Sequence, residues 1–171
     1  MSEYSYRTAT PADAEPIIAV TMQGFETYRA FAPEGWRPPS ASDESERLQG
    51  MLGEDHVWYL VAEHEGELVG HVGFLPAARL SFARVDDPRL VHFRQLFVTR
   101  EHWGTGLARR LHAAAIDEAR ARGFTGMRLF TPGGQQRARR FYEREGWTLA
   151  RGPWQDDGLG LGVVEYRKEP I

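Results

Sequence analysis

Ile17, Ile18, Val20, Met22, Phe25, Tyr28 and Phe31 recur at the spacing of one helix face, and that face stops near Ala32 and Pro33. The helix starts at Thr10, an N-cap followed by Pro11 in the first turn and by Asp13, whose carboxylate suits the positive end of the helix dipole. A short strand over residues 4–7 precedes it. Residues 34–42 hold Gly35, Pro38 and Pro39 and read as a loop. Residues 42–52 form a second, more polar helix, capped by Ser42 and ended at Gly53.

Two apolar runs, residues 57–63 and 68–75, flank Glu65 and Gly66 and predict a hairpin. An irregular stretch to Pro88 leads to a strand over residues 90–98. Residues 106–122 are helical, with Leu107, Leu111, Ala114, Ala115 and Ala119 on one face and Gly123 as the stop. A strand over residues 127–130 and a short helix over residues 136–145 follow. Two last strands, residues 147–150 and 163–167, are joined by a linker rich in glycine and aspartate over residues 152–162. The strand–helix–strand unit from residue 90 to 130 predicts a parallel strand pair, direct or across one intervening strand. The order is β-α-α-β-β-β-α-β-α-β-β, without internal repeat, and it predicts one α/β (α+β) domain over residues 1–171.

The chain has 171 residues, enough to bury a core without covalent staples, and its 42% hydrophobic and 26% charged residues are those of a folded globular protein. With no cysteine, a disulfide framework, a thiolate metal site, an iron–sulfur cluster and a thiol nucleophile are excluded. The first residues carry no basic start followed by an apolar stretch, and no apolar run approaches the ~20 residues that span a bilayer. A cytoplasmic protein without a membrane partner is the expectation. The net charge of −3 is uneven: residues 94–151 carry +7, whereas residues 1–93 carry −8. A basic segment in an acidic chain fits a local anionic ligand better than a nucleic-acid coat, although a solvated arginine-rich helix face reads the same way.

The most informative stretch is Trp103-Gly104-Thr105-Gly106-Leu107-Ala108-Arg109, between a strand's end and a helix's start. Small residues at 104, 106 and 108 let backbone approach a ligand, and unpaired amides at a helix N-terminus favour an anion. A tight turn that needs glycine would look alike. Neither a Walker-type loop nor a dinucleotide fingerprint fits, since the required lysine, third glycine and acidic ribose ligand are missing. The stretch resembles the acyl-CoA signature of the GNAT superfamily of N-acetyltransferases, Gln/Arg-x-x-Gly-x-Gly/Ala. It matches at Gly106 and Ala108 and departs at Trp103. The run from Gln135 to Trp147, with Ala138, Tyr142, Glu143 and Gly146, is similar to the family's second signature, Asn-x-x-Ala-x-x-x-Tyr-Glu-x-x-Gly-Phe. Gln135 stands for its Asn and Trp147 for its Phe.

The resemblance implies a mixed, mostly antiparallel sheet with a central parallel strand pair flanked by helices, and acetyl-CoA as the acetyl donor. By position it implies that the backbones of Leu96, Phe97 and Val98 pair with the pantetheine arm and that Gly104, Thr105, Gly106, Leu107, Ala108 and Arg109 hold the pyrophosphate. Gln135 would touch the cofactor, and Tyr142 would be the acid for the departing thiolate. His92 is the candidate base, with Glu26 on the first helix and His71 on the third strand as competitors; a histidine at the strand's solvent end is an equal reading. No other histidine shows ligand spacing, so no metal is expected. The acceptor pocket is expected around Phe25, Tyr28, Phe31, Trp36, Trp154, Asp156 and Asp157, a lining that suits a cationic amine. The expected reaction is direct acetyl transfer to a small-molecule amine in a ternary complex. A protein N-terminal or lysine amine, and a non-catalytic acyl-CoA-binding module, are the alternatives. Dimers are common in the family, and a homodimer is the assembly it suggests.

Overall fold

The computed structural model describes residues 3–171. Its sheet has seven strands: β1 (Ser5–Thr8), β2 (Trp58–His64), β3 (Glu67–Pro76), β4 (Leu90–Val98), β5 (Gly126–Pro132), β6 (Thr148–Asp156) and β7 (Leu161–Lys168). They lie in the order β1-β2-β3-β4-β5-β7-β6, antiparallel throughout except for the central parallel pair β4–β5. The mixed sheet with a central parallel pair is the one predicted, and of the two arrangements left open the pair is direct. α1 (Ala14–Glu26) and α2 (Ala41–Leu52) cover one face; α3 (Leu107–Ala121) and α4 (Gln136–Arg144) cover the other. No helix among the described residues is long and apolar enough to cross a membrane.

Each face has its own core. Leu107, Leu111, Ala115 and Ala119 of α3 pack with Phe93, Met127 and Leu129 of the sheet, while Ile17, Ile18 and Leu48 close over Tyr59 and Val61. The start of α1 is held by a small polar cluster. The Asp13 carboxylate accepts from the Thr10 backbone at 2.7 Å and from both terminal nitrogens of Arg7 at 2.8 Å. Arg7 holds that carboxyl down at about 2.

Three boundaries differ most from the sequence reading. The first helix ends at Glu26 and tightens into a 3-10 turn, Thr27–Ala30, where the Thr27 hydroxyl bonds the Gly24 carbonyl at 2.6 Å. Ser40, not Ser42, caps α2, its Oγ accepting from Asp43 N at 3.4 Å. The expected linker over residues 152–162 is instead the second half of β6 and a turn into β7. Two register shifts, between Leu149 and Arg151 and between Arg151 and Trp154, let this edge strand carry a glycine and a proline and still pair.

The central pair matters most for the site. β4 and β5 pair only at Leu90, Val91 and His92, opposite Gly126, Met127 and Arg128. Beyond His92 the strands separate, so β4 keeps β3 on one edge and leaves the other edge open. β4 also carries a bulge. Phe93 pairs with Phe74 and Gln95 with Gly73, so Arg94 is the extra residue.

Candidate functional site

A continuous cleft of about 910 Å³ begins at the α3 N-terminus, follows the open edge of β4, and ends between α1, α2 and the β6–β7 turn. Its floor is Leu96, Phe97 and Val98, all half-buried. Leu96 and Val98 pack toward α3, whereas Phe97 packs against Phe25 and His71 on the opposite face. The only strand they pair with is β3, which leaves backbone polar groups of Leu96 and Phe97 along the cleft for an extended ligand, while Val98 O is taken by the Trp103 indole.

The loop ahead of α3 has the geometry of an anion cradle. Gly104 and Gly106 have φ of +78° and +83°, a left-handed conformation that costs a side-chain-bearing residue about 1–2 kcal/mol. Arg110 N bonds Gly106 O at 3.1 Å and Leu107 N reaches the Thr105 hydroxyl at 3.4 Å, so the neighbouring amides are left for a ligand. Gly104, Gly106, Ala108 and Arg109 line the cleft. Leu107 is fully buried and Thr105 faces backward: its hydroxyl bonds His102 O at 2.7 Å and accepts from Tyr4 at 3.2 Å. These two can contribute backbone alone. Arg109 is exposed, 3.4 Å from Glu145.

Trp103, the departure from the motif, is held firmly. Its indole Nε1 donates to Val98 O at 2.9 Å, the Arg137 guanidinium lies 3.6 Å from the ring centroid, and that of Arg100 lies 5.2 Å away. The ring gathers two guanidinium groups at the mouth of the cradle. Arg137 lines the cleft, and no sequence signal marks it beyond the arginine content of α4. At the N-terminus of α4, Gln135 donates from Nε2 to the Thr27 hydroxyl at 3.1 Å, tying the helix to the end of α1.

Tyr142 projects from α4 into the cleft wall among Phe93, Phe141 and Trp147. It is 8% exposed, and its hydroxyl has no hydrogen-bond partner among the described residues. Burial, with a smaller contribution from Tyr28, raises its pKa well above that of an ordinary phenol, so the hydroxyl keeps its proton.

His92 also reaches the cleft but is 4% exposed. Its Nδ1 lies 3.3 Å from Arg128 Nε, a donor, which puts the imidazole proton on Nε2. Burial and then the charges of Arg128 and Arg94 hold its pKa well below the usual histidine value. The two competitors lie outside the cleft. Glu26 is exposed and paired with Arg29 at 2.6 Å, and His71 is fully buried, bonded to the Thr21 hydroxyl at 2.9 Å.

The acceptor end keeps an expected acid, Asp156, and adds charged residues from α2 and β4. Phe25, Tyr28 and Asp156 line it, and Asp156 also caps the β6–β7 turn by accepting from Leu159 N at 2.7 Å. Trp36 fastens the α1–α2 loop to the same turn, donating to Leu159 O at 2.8 Å, and Trp154 packs edge-on against Phe130. The charged side chains that line the chamber beside β4 are Arg47, Arg79 and Arg94, together with Glu44 and Glu54. Sequence reasoning passed over Arg94. The signal was the polar pair Arg94-Gln95 breaking the alternation of an apolar strand, which is how a bulge reads in sequence.

A sheet splayed at its parallel pair, with a glycine-built anion cradle at one end of the opening and a tyrosine in its wall, defines a group-transfer site for a long anionic donor. A sequence model of the acetyltransferase (GNAT) family matches residues 22–147, and the chain belongs to that family. It is 36% identical over 110 residues to human N-acetyltransferase 8B, a stretch covering 62% of this chain and 45% of that protein, so the chain matches less than half the length of this curated relative. N-acetyltransferase from Staphylococcus aureus Mu50 superposes with a TM-score of 0.74 at 17% identity, covering 98% of this chain and 99% of that one. PaiA N-acetyltransferase from Thermoplasma acidophilum, solved in complex with coenzyme A, superposes with a TM-score of 0.72 at 16% identity, covering 95% and 98%.

Proposed function

We propose that this protein transfers an acetyl group from acetyl-CoA directly to the amine of a small molecule. The observation that carries the reading is the cleft itself, which joins an anion cradle, an open strand edge and a walled acceptor chamber in one path. Amides of residues 104–109 meet the pyrophosphate, Arg137 and Arg109 add charge, and the free edge of Leu96, Phe97 and Val98 pairs with the pantetheine amides. The carbonyl oxygen, which becomes anionic in the transition state, lies against backbone N–H groups of the same edge. The amine nitrogen bonds the acetyl carbon, the carbon–sulfur bond breaks, and the proton released from nitrogen balances the thiolate. Tyr142, kept protonated by its burial, donates a hydrogen bond to the departing sulfur.

His92 in this reading is a neutral wall of the chamber rather than the base, because its accessible nitrogen carries a proton. The amine's proton leaves to water. The small-molecule acceptor is supported by the contact of Trp36 with Leu159, which ties two loops across the chamber where a peptide groove would need to stay open.

The test is thermal stability with acetyl-CoA and with CoA, followed by thiol release with a panel of amines. Both ligands should raise the midpoint, since one present at ~100 times its dissociation constant adds about 2.7 kcal/mol. No shift with either would overturn the reading. Binding without thiol release from any small amine or peptide would make the protein an acyl-CoA-binding module, and release with peptides alone would move the acceptor to proteins.

A further inference from the structure

The acceptor chamber holds a cation without a full set of partners. Arg94 is the bulged residue of β4, and the bulge turns both Arg94 and Gln95 toward the α1–α2 face, since Phe93 and Leu96 on either side pack toward α3. Its side chain is 18% exposed, and what exposure it has is to the cleft. Among the described residues its one hydrogen-bond acceptor is the Tyr59 hydroxyl, reached from Nη1 at 2.7 Å. Tyr59 in turn donates to Gln95 Oε1 at 3.3 Å, so the phenol fixes the guanidinium from behind.

Glu44 is the nearest carboxylate, 4.0 Å from Arg94 Nη2, and it is already committed to Arg47 at 2.7 Å. Arg79, also lining the chamber, makes no ion pair among the described residues. Glu54 pairs with His56 at 3.0 Å at the rim. Arg128, by comparison, is 1% exposed and directs two of its donors at His92 and the Ala83 carbonyl. A largely buried guanidinium with most of its five donors unmatched is built to receive an oxyanion.

The geometry points to an acceptor that carries a carboxylate or similar oxyanion together with its amine, the oxyanion bound bidentately by Arg94 and the amine thereby presented to the acetyl carbon. This substrate class, of which α-amino acids are the simplest members, rests on the acetyl-transfer reading and narrows it. Arg94 acts as a specificity residue, and Tyr59 positions it.

The experiment compares L-amino acids with their α-carboxamides as acceptors, for the wild type, Arg94→Ala and Arg94→Lys. Amidation removes the oxyanion and lowers the amine's pKa, which by itself would favour the amide. The wild type is expected to prefer the acids by about ten- to a hundredfold in kcat/KM, the range of a charge-assisted pair. Arg94→Ala should bring the ratio near one, chiefly through KM, and Arg94→Lys should keep part of it, having the charge without the fork. Coenzyme A affinity, measured by calorimetry on each variant, should be unchanged, which shows that the fold and cradle persist. Amino acids should also add a thermal shift to the CoA-saturated wild type but not to Arg94→Ala. Equal use of acids and amides, or a ratio that neither variant moves, overturns the inference while leaving acetyl transfer standing. Failure to bind acetyl-CoA overturns both.

Discussion

Tyr142 and His92 line the same cleft and are both buried, yet their surroundings assign them opposite fates. Tyr142 has a free hydroxyl, so Tyr142→Phe removes one donor and little packing. It should lower kcat about a hundredfold, the usual scale for a positioned proton donor, with coenzyme A affinity within about twofold. A loss of affinity instead would make the tyrosine a packing residue. His92 has its lone pair facing Arg128, so His92→Gln should leave the acid limb of the kcat/KM profile where it was; a displaced limb would restore it as the base. Trp103 shows why a departure from a motif need not mean a lost site. Trp103→Ala releases Arg100 and Arg137 from the ring they share, and coenzyme A affinity measured by calorimetry should fall about tenfold, the scale of a partly desolvated cation–π contact.

At the scale of elements, the site depends on where regular pairing stops. α3 begins on a left-handed glycine because the chain must turn from β4 into a helix while leaving amides unpaired. Gly106→Ala forces that conformation on a residue with a Cβ. Nothing in the space around Gly106 blocks the new atom, its nearest neighbour being the end of the Arg110 side chain at 3.9 Å, so the cost of about 1–2 kcal/mol is backbone strain alone. The expected outcome is a denaturation midpoint lowered by that amount together with weaker coenzyme A binding; an unchanged midpoint would show that the loop relaxes to another shape. This element was legible in sequence because glycine at 104 and 106 has a local cause. So were β4, whose residues 90–98 are continuously apolar or aromatic at their ends, and the hairpin at Glu65-Gly66, both of which have positive φ. What the sequence hid is non-local. β6 runs on through Gly152 and Pro153 because β7 supplies its partners, and Arg94 joins the acceptor chamber because β3 skips a residue opposite it. The arginines of that chamber were hidden for the same reason. Asp156 lines the chamber and also caps a turn, while the arginines come from three separate elements.

At the scale of the whole molecule, the two cores and the cleft between them bury three histidines in neutral form. His71 lies under α1 with its pKa pressed down by burial and by Arg94 to about 3. His112 lies between α3 and Trp147, lowered by burial and by Lys168 to about 4, and His92 lies well below its ordinary value. Each therefore binds a proton in the unfolded chain at a pH where the folded protein refuses it. The stability they share is complete above about pH 6.5 and declines as pH falls from there, because below that point the unfolded state takes up more protons than the native one. At pH 5.5 a histidine kept neutral by the fold costs about 1.4 kcal/mol, so His71 and His112 together remove about 3 kcal/mol from a typical total of about 5–15 kcal/mol, and His92 acts in the same direction. Asp13 extends the loss: Arg7 holds its pKa near 2, so its contribution persists above about pH 4 and disappears only as pH falls toward 2. Urea denaturation at pH 7.0, 6.0 and 5.5 should therefore show stability falling steeply well before the carboxylates titrate. His112→Gln, which can still accept from Trp147 Nε1, should flatten that slope by about a third, and a slope unchanged in this variant would mean that His112 is protonated in the fold, against Glu145 at 3.9 Å. Since His92 forms part of the chamber wall, loss of activity in mild acid should follow the loss of fold rather than the titration of a catalytic base, and the two curves measured on one preparation should coincide.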